Sequence, residues 1–357
     1  MTSASKKVCF YITTRGNYAK TATVIEALKD KVEIQYITGM DCPGDMEFYG
    51  RVERLHRIDG YKMQEPGRIC GSCADALWLL KPSLFVIVAD RWECLPAAMS
   101  AYYMGISIAH LEGGEESDCL DNRIRNAITQ LATIHFPCSR KSFERVVELI
   151  GSDDRDVTLS GCTSFGMLLQ YVDAPFHVPV LKMKMPYLLV VFHPDRMAPD
   201  LAFERFRPLL WAISELQMET YWIRPNIDVN SDKINDHLNK IKWPFIHVTD
   251  SLRIEQYAAL MAHAACVIGN SSSGIREAGF LGVPVVNVGE RQGCRERDIN
   301  VVNVSCETKA IIEAVRKQVA HGLYESDYTY GDGRAGEKVA EVILDYLEVK
   351  ESAYDAA

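Results

Sequence analysis

Short apolar, β-rich runs alternate with helical stretches along most of this chain, and that alternation restricts the fold more than any other feature. A strand, a helix and a second strand in succession form a parallel pair with a crossover, because an antiparallel pair needs no helix between its members. In the first half the runs are Val8–Thr13, Val32–Tyr36, Leu84–Ala89, Ser107–His110, Thr133–Phe136 and Val157–Leu159. Helical spacing of apolar residues separates them at Ala19–Lys29, Pro96–Met104 and Asn122–Ala132. A second series holds Tyr187–Phe192, Thr220–Ile223, Phe245–Thr249, Cys266–Ile268 and Val285–Val288. Its helices fit Leu201–Met218, Arg253–Ala262, Gly274–Phe280 and Lys309–Lys317.

At 357 residues the chain exceeds what one core usually supports, so two domains are expected. The segment Asp173–Pro186 carries Pro175, Pro179 and Pro186 and reads as the linker. The expected division is residues 1–173, residues 187–334, and a closing amphipathic helix within residues 335–357 that packs back on the first domain. The fold class is α/β, two Rossmann-like domains facing across a cleft, with binding at the carboxyl ends of the strands.

No stretch approaches the roughly 18 apolar residues that span a bilayer, and the first residues lack a signal-peptide pattern, so a cytoplasmic protein is expected. A net charge of -9 argues against a nucleic-acid partner but leaves room for a small anion held by local cations. Eleven cysteines without a secretory signal read as reduced thiols; Cys9, Cys162 and Cys266 sit in apolar runs. Cys70 and Cys73 form a lone C-x-x-C without a second pair, read as thiols in a turn and helix start, and no metal site is expected there.

The most specific local pattern is Gly269-Asn270-Ser271-Ser272-Ser273-Gly274-Ile275-Arg276-Glu277. A buried strand ends, small residues follow, and a helix starts near Gly274. Small side chains let backbone N–H groups approach an anion, and serine hydroxyls add donors. No Gly-Lys-Ser/Thr closes the loop, so it is not a Walker A sequence. Glu277, one turn on, suits two ribose hydroxyls; the alternative is that Ser272 or Ser273 caps the helix and Glu277 complements its dipole. Past the next strand, Arg291 is a candidate phosphate contact, while Arg295 and Arg297 read equally well as surface residues.

In the first half, Thr13-Thr14-Arg15-Gly16-Asn17-Tyr18-Ala19-Lys20 joins a strand to a helix, and Arg15 and Lys20 suit a diphosphate or a solvated loop. Asp90 and Glu112 end neighbouring parallel strands. Side by side, two carboxylates raise one another's pKa, which suits proton exchange; the alternatives are helix caps or pairs with Arg91 or Arg123. Asp121 opens a helix as a possible N-cap, and His193 ends the strand before Pro194, where an imidazolium could neutralise a leaving diphosphate.

Together, His110-Leu111-Glu112-Gly113-Gly114-Glu115, Asp90-Arg91-Trp92-Glu93, the Gly269–Ala278 loop and Tyr330-Gly331-Asp332-Gly333 resemble the UDP-N-acetylglucosamine 2-epimerase family. The Glu-Gly-Gly-Glu form looks like its hydrolysing, N-acetylmannosamine-forming branch. The resemblance implies a fold of the glycosyltransferase-B type, a nucleotide-sugar ligand, no metal or redox cofactor, and a homodimer or homotetramer. By position it implies catalytic roles for Asp90, Glu112, Asp121 and His193. Arg15, Lys20, Asn270, Ser271, Ser272, Ser273, Gly274, Glu277 and Arg291 would bind substrate. Three positions depart from the family pattern: Asn17 and Asn122 stand where acids are usual, and Gly166 replaces an aspartate.

The reaction this implies eliminates the nucleoside diphosphate from C1 as a carboxylate takes the C2 proton, and water then adds to the glycal with inversion at C2. The rivals are a non-hydrolysing epimerase, a glycosyltransferase on the same fold, and a non-catalytic nucleotide-sugar binder.

Overall fold

The computed structural model describes residues 6–39, 48–55, 64–117, 121–151, 156–172, 186–194, 201–225, 230–250 and 252–355, with the backbone alone for Arg15 and residues 351–355. The expected linker over residues 173–185 lies outside the described residues. The chain divides into two compact units, one of Met1–Glu115, Asp121–Gly166 and Gly331–Ala357, the other of Glu116–Leu120 and Met167–Tyr330.

The first unit holds β1 (Lys7–Ile12), α1 (Arg15–Leu28), β2 (Glu33–Thr38), β3 (Arg51–Arg54), α2 (Glu65–Leu80), β4 (Leu84–Val88), α3 (Cys94–Tyr103) and β5 (Ser107–Leu111). After these come α4 (Asp121–Leu131), β6 (Ile134–Phe136) and α5 (Arg140–Ile150), while α6 (Ser164–Tyr171) runs across the boundary into the second unit. Its strands are all parallel, in the order β3-β2-β1-β4-β5-β6. This is the doubly wound Rossmann order, which reverses direction between β1 and β4.

The second unit repeats the plan with β7 (Tyr187–Val191), α7 (Ala202–Leu216), β8 (Glu219–Ile223), α8 (Ser231–Lys240), β9 (Ile246–Thr249), α9 (Ile254–Ala262) and β10 (Cys266–Gly269). It continues through α10 (Ser272–Ile275), α11 (Glu277–Phe280), β11 (Val285–Val288), β12 (Val301–Val304) and α12 (Thr308–His321). The strand order β12-β11-β10-β7-β8-β9 is again parallel throughout and reverses between β7 and β10.

Each sheet is buried on both faces, which is why its central strands read as unbroken apolar runs. In the first unit Val8, Phe10, Ile12, Val86 and Val88 pack on one side with Val24, Ile25 and Leu28 of α1. The same cluster takes in Val339, Ala340, Ile343 and Leu347 of α13 (Ala335–Asp355), so the last helix closes this core. On the opposite face Cys9, Phe85 and Ile87 meet Cys73 and Leu77 of α2 and Ala97 and Ala101 of α3. Cys70 and Cys73 therefore lie inside a helix rather than at its start.

Two further details differ from expectation. The helix expected over Gly274–Phe280 is two short turns that meet at Arg276, with the first starting at Ser272. Val157 forms only an isolated bridge to His135 rather than a strand.

The first sheet also buries two imidazoles as register partners, His110 on β5 and His135 on β6. Burial lowers the pKa of His110 to about 4. Burial, with repulsion from His110, lowers that of His135 to about 4 as well. An unfolded histidine titrates near 6.5, so between about pH 6.5 and 4 the unfolded chain binds protons that the folded chain refuses. Stability is therefore complete above pH 6.5 and falls on acidification by up to about 1.4 kcal/mol per pH unit for each histidine. Urea unfolding at pH 7 and pH 5 is expected to show this fall, with a smaller one in His135→Gln; equal falls in both proteins would contradict the assignment.

Candidate functional site

The first unit gathers its candidate acids at the carboxyl ends of β4 and β5. Ala89 and Glu112, the residues that follow these strands, adopt left-handed backbone with φ of 58° and 63°. Non-glycine residues seldom hold that conformation, and where they do the strain is often tied to a site. The Ala89 N–H donates to the Leu111 carbonyl and the Glu112 N–H to the Phe136 carbonyl, so each strand is tied to the next as it turns. His110 bridges the same turns, through Nε2 to the Ala89 carbonyl at 2.9 Å and through Nδ1 to the Thr129 hydroxyl at 3.2 Å.

The two glycines after Glu112 are required by space. A Cβ on Gly113 would lie 3.1 Å from His110 Nδ1 and 3.2 Å from Thr129 Oγ1. Gly114 has a φ of 77°, and its Cβ would stand 2.1 Å from the Ser142 carbonyl oxygen of α5. The Glu-Gly-Gly-Glu sequence thus lets the chain leave β5 wedged between a buried imidazole and a helix backbone.

Each acid has its own cation. Glu112 is 3% exposed, and its Oε2 accepts from Lys20 Nζ of α1 at 2.5 Å. Asp90 pairs with Arg125, a side chain only 1% exposed, which also donates to the Glu115 carbonyl and to Asn122 Oδ1. Of the cation pairs weighed as alternatives to a mutual carboxylate pair, neither is the one found for Asp90: Arg91 pairs with Glu93, and Asp90 pairs with Arg125 rather than with Arg91 or Arg123. Asp121, half-buried, lies in the first turn of α4.

Arg125 was absent from the sequence reading, yet a signal existed. It shares the buried face of α4 with Ile128 and Thr129 at helical spacing, where a cation requires a carboxylate. Arg15 begins α1, and its side chain lies outside the described residues. Asn17 is buried; its Oδ1 accepts from the Thr13 hydroxyl and, at 3.3 Å, from that of Thr14. Gly166 stands where a Cβ would lie 2.9 Å from Thr23 Cγ2 and 3.1 Å from the Gly333 carbonyl oxygen.

The second unit presents its residues at the carboxyl edge of its own sheet, on either side of the β7/β10 reversal. Gly269 ends β10 with a φ of 140°, where a Cβ would stand 2.0 Å from the Val191 carbonyl oxygen. Asn270 ties the loops together. Its Oδ1 accepts the His193 N–H and its Nδ2 donates to the His193 carbonyl, both at 2.8 Å. Its own carbonyl accepts from Arg291 Nη1 at 2.9 Å and from Gln292 Nε2 at 3.0 Å.

Arg291 thus braces the serine loop with one of its donors, leaving the rest of its guanidinium fork for other partners. A shallow pocket opens here, lined among others by Phe192, Asn270, Gly289, Glu290, Arg291 and Cys306. Arg295, for which a surface place is only one of the sequence readings, is buried, while Arg297 donates to the Gln292 and Gly293 carbonyls and to Asn303.

The cap of α10 is Ser271, not Ser272 or Ser273: its hydroxyl accepts from the Ser273 N–H. Ser271 Oγ, Ser273 Oγ and the Tyr257 hydroxyl form a chain with spacings of 3.0 and 2.5 Å. Burial raises the Tyr257 pKa well above its usual value, which keeps the phenol a donor. Glu277 is buried beside Arg276, at 3.8 Å between Oε2 and Nε, and Gly274 lets the first turn approach Val285. The Tyr330–Gly333 motif is a junction. The Tyr330 hydroxyl donates to the Glu296 carbonyl, and the Asp332 carboxylate accepts the Arg334 N–H ahead of α13. That bond and Lys338 lower the Asp332 pKa.

Gly114→Ala is expected to destabilise the protein by on the order of 3 kcal/mol, because an immovable carbonyl and a left-handed φ both oppose a side chain there. Gly113→Ala should cost distinctly less, since its neighbours are side chains that can shift. Urea unfolding of the two variants checks the order, and equal losses would contradict it.

Residues 59–344 match the family described as UDP-N-acetylglucosamine 2-epimerase. The UDP-N-acetylglucosamine 2-epimerase of Neisseria meningitidis is 28% identical, over 95% of each chain. A Legionella pneumophila protein named UDP-N,N'-diacetylbacillosamine 2-epimerase (hydrolyzing) is 28% identical over 73% of this chain and 71% of its own. The solved structure of UDP-GlcNAc 2-epimerase from Neisseria meningitidis bound to UDP-GlcNAc aligns with a TM-score of 0.74 at 19% identity, covering 95% of this chain and 100% of that one. That likeness shows a shared fold of the glycosyltransferase-B type, as the alternating runs and the resemblance led one to expect. With the family match spanning well over half of its length, this chain belongs to the UDP-N-acetylglucosamine 2-epimerase family and is an epimerase of nucleotide sugars.

Proposed function

We propose that this chain is a hydrolysing 2-epimerase acting on a UDP- or GDP-linked 2-acetamido sugar. The observation that carries this reading is the buried Glu112 carboxylate, paired with Lys20 at the left-handed end of β5 and followed by Gly113-Gly114-Glu115. That motif has the form of the hydrolysing branch, and one relative is named for a hydrolysing reaction.

The step needs a base at the sugar C2 and help for a leaving diphosphate at C1. Glu112 or Asp121 takes the C2 proton, the electron pair forms the C1–C2 double bond, and the C1–O bond breaks with its electrons passing to the nucleotide. Water then adds at C1 while a proton returns to the opposite face of C2. Charge grows on the diphosphate, so donors there lower the barrier most. Arg15, Lys20, His193, Asn270, Ser271, Ser272, Ser273 and Arg291 are assigned to it or to the loop that receives it. Glu277 is assigned to the ribose, and Gly274 to the close approach of the loop.

A diphosphate that draws Lys20 away from Glu112 leaves the carboxylate more basic as substrate binds. Asp90, held by Arg125, is read as the positioning member of the acid set. Elimination and hydration together involve no net redox change, so the reaction calls for no redox cofactor. The working unit is proposed to be a homodimer or homotetramer. In support, α2 and α3 leave Trp78, Tyr102 and Tyr103 exposed.

Incubation with UDP-N-acetylglucosamine in deuterated water is expected to release UDP and a free 2-epimerised sugar with deuterium at C2. Glu112→Gln should lower the rate by about 10²–10⁴-fold, the usual weight of a general acid or base. Epimerised sugar still joined to UDP would instead make the enzyme non-hydrolysing. Intact, unexchanged substrate across a series of nucleotide sugars would remove the catalytic reading.

A further inference from the structure

Beside Glu112 lie two thiols that the proposed reaction does not use. Cys138 follows β6, Cys162 precedes α6, and both sulfurs lie within 4.8 Å of one another and of a Glu112 carboxylate oxygen. All three residues are buried, with exposures of 2%, 1% and 3% for Cys138, Cys162 and Glu112. Cys162 Sγ stands 3.9 Å from Glu112 Oε1 and 3.0 Å from the Ser164 hydroxyl. Lys20 holds the other carboxylate oxygen. A hydrogen bond with Cys162 and burial raise the pKa of Cys138.

We infer that Cys138, Cys162 and Glu112 form a binding site for a thiophilic divalent cation of the zinc type. Cysteine sulfur and carboxylate oxygen are both zinc ligands, and three protein donors would leave one position of a tetrahedron for a fourth ligand. Zinc bonds of about 2.3 Å to sulfur and 2.0 Å to oxygen place tetrahedral donors about 3.5–3.8 Å apart, so a contraction of about 1 Å closes this set. On binding, each thiol gives up a proton to solvent. Two thiolates and one carboxylate then face two charges from the metal and one from Lys20, so the formal charge stays at zero before and after. A buried pocket tolerates that exchange far better than a net charge. Loading would also occupy the carboxylate proposed as a proton acceptor and so inhibit turnover; this last consequence alone rests on the functional reading.

The test uses the full-length protein, reduced and stripped with a chelator, with cobalt(II) as the probe. The expected result is one cobalt per chain, thiolate-to-cobalt charge-transfer absorption in the near ultraviolet, strong visible bands of four-coordination, and displacement by zinc. Cys138→Ser and Cys162→Ser should each weaken binding by at least ~10-fold. Cys294→Ser, at an exposed cysteine elsewhere, should leave it unchanged. Thermal melts without metal verify folding, and Cys162→Ala provides a second variant should the serine prove unstable. Absence of the charge-transfer band, or a band that survives in the Cys138→Ser/Cys162→Ser double variant, overturns the site. The readout needs no sugar turnover: metal-free protein that hydrolyses no nucleotide sugar, yet gives the band once cobalt is added, would sink the hydrolysing reading and leave the metal site standing.

Discussion

A carboxylate taken out of water must find a cation or give up its charge, and the first unit is arranged around that requirement. Glu112 and Asp90 end adjacent central strands, where the backbone is fixed by the ladder and the side chains have little freedom to reach solvent. The answer differs for each. Lys20 comes from the helix after β1, and Arg125 from the helix after the Glu-Gly-Gly-Glu turn. Neighbouring features follow from these two pairs. The two glycines let the chain leave β5 in close contact with its neighbours, and Arg125 also donates from Nη1 to the Glu115 carbonyl and to Asn122.

Strands buried on both faces were plain in the sequence because nothing but apolar residues can occupy them. Elements with weaker burial were not. Edge strand β3, Arg51-Val52-Glu53-Arg54, carries one apolar side chain and looks like a loop. The apolar spacing of α2 over Ile69, Cys73, Leu77 and Leu80 was there to be seen, but Pro66, Gly67 and Gly71 in its first half argue locally against a helix. Helix α8 hides Ile234 and Leu238 among polar residues, and β12 follows an arginine-rich stretch that draws attention to chemistry rather than pairing. The β11 and β12 segments in fact share the sequence Val-Val-Asn-Val, and their register sets Asn287 beside Asn303, joined at 2.9 Å.

The candidate site was legible wherever a residue sits at a strand end, because topology alone sends those positions to one edge. What each group touches was not legible. Asn270 read as one member of an anion loop, whereas it also cross-links the ends of three strands. The residues that depart from the family pattern have physical reasons here. Asn17 satisfies two threonine hydroxyls with an uncharged oxygen in a buried place. Asn122 shares Arg125 with Asp90, where a second acid would compete for the same guanidinium. At 166 there is simply no room beside Thr23 for a side chain.

The helix from Ala335 onward lies in the same core as β1 and α1, so this core is completed by a segment that follows the whole second unit in the chain. Until Val339, Ala340, Ile343 and Leu347 join them, Val24, Ile25 and Leu28 of α1 and the strand residues beside them lack part of their cover. The intervening unit needs no such delay, since apart from the short stretch Glu116–Leu120, which precedes it in the chain, it is built from Met167–Tyr330. Order of synthesis and order of completion are therefore reversed: the middle of the polypeptide can mature while its beginning is still unsealed, and a chain halted near its end leaves that apolar face as a target for chaperones or proteases.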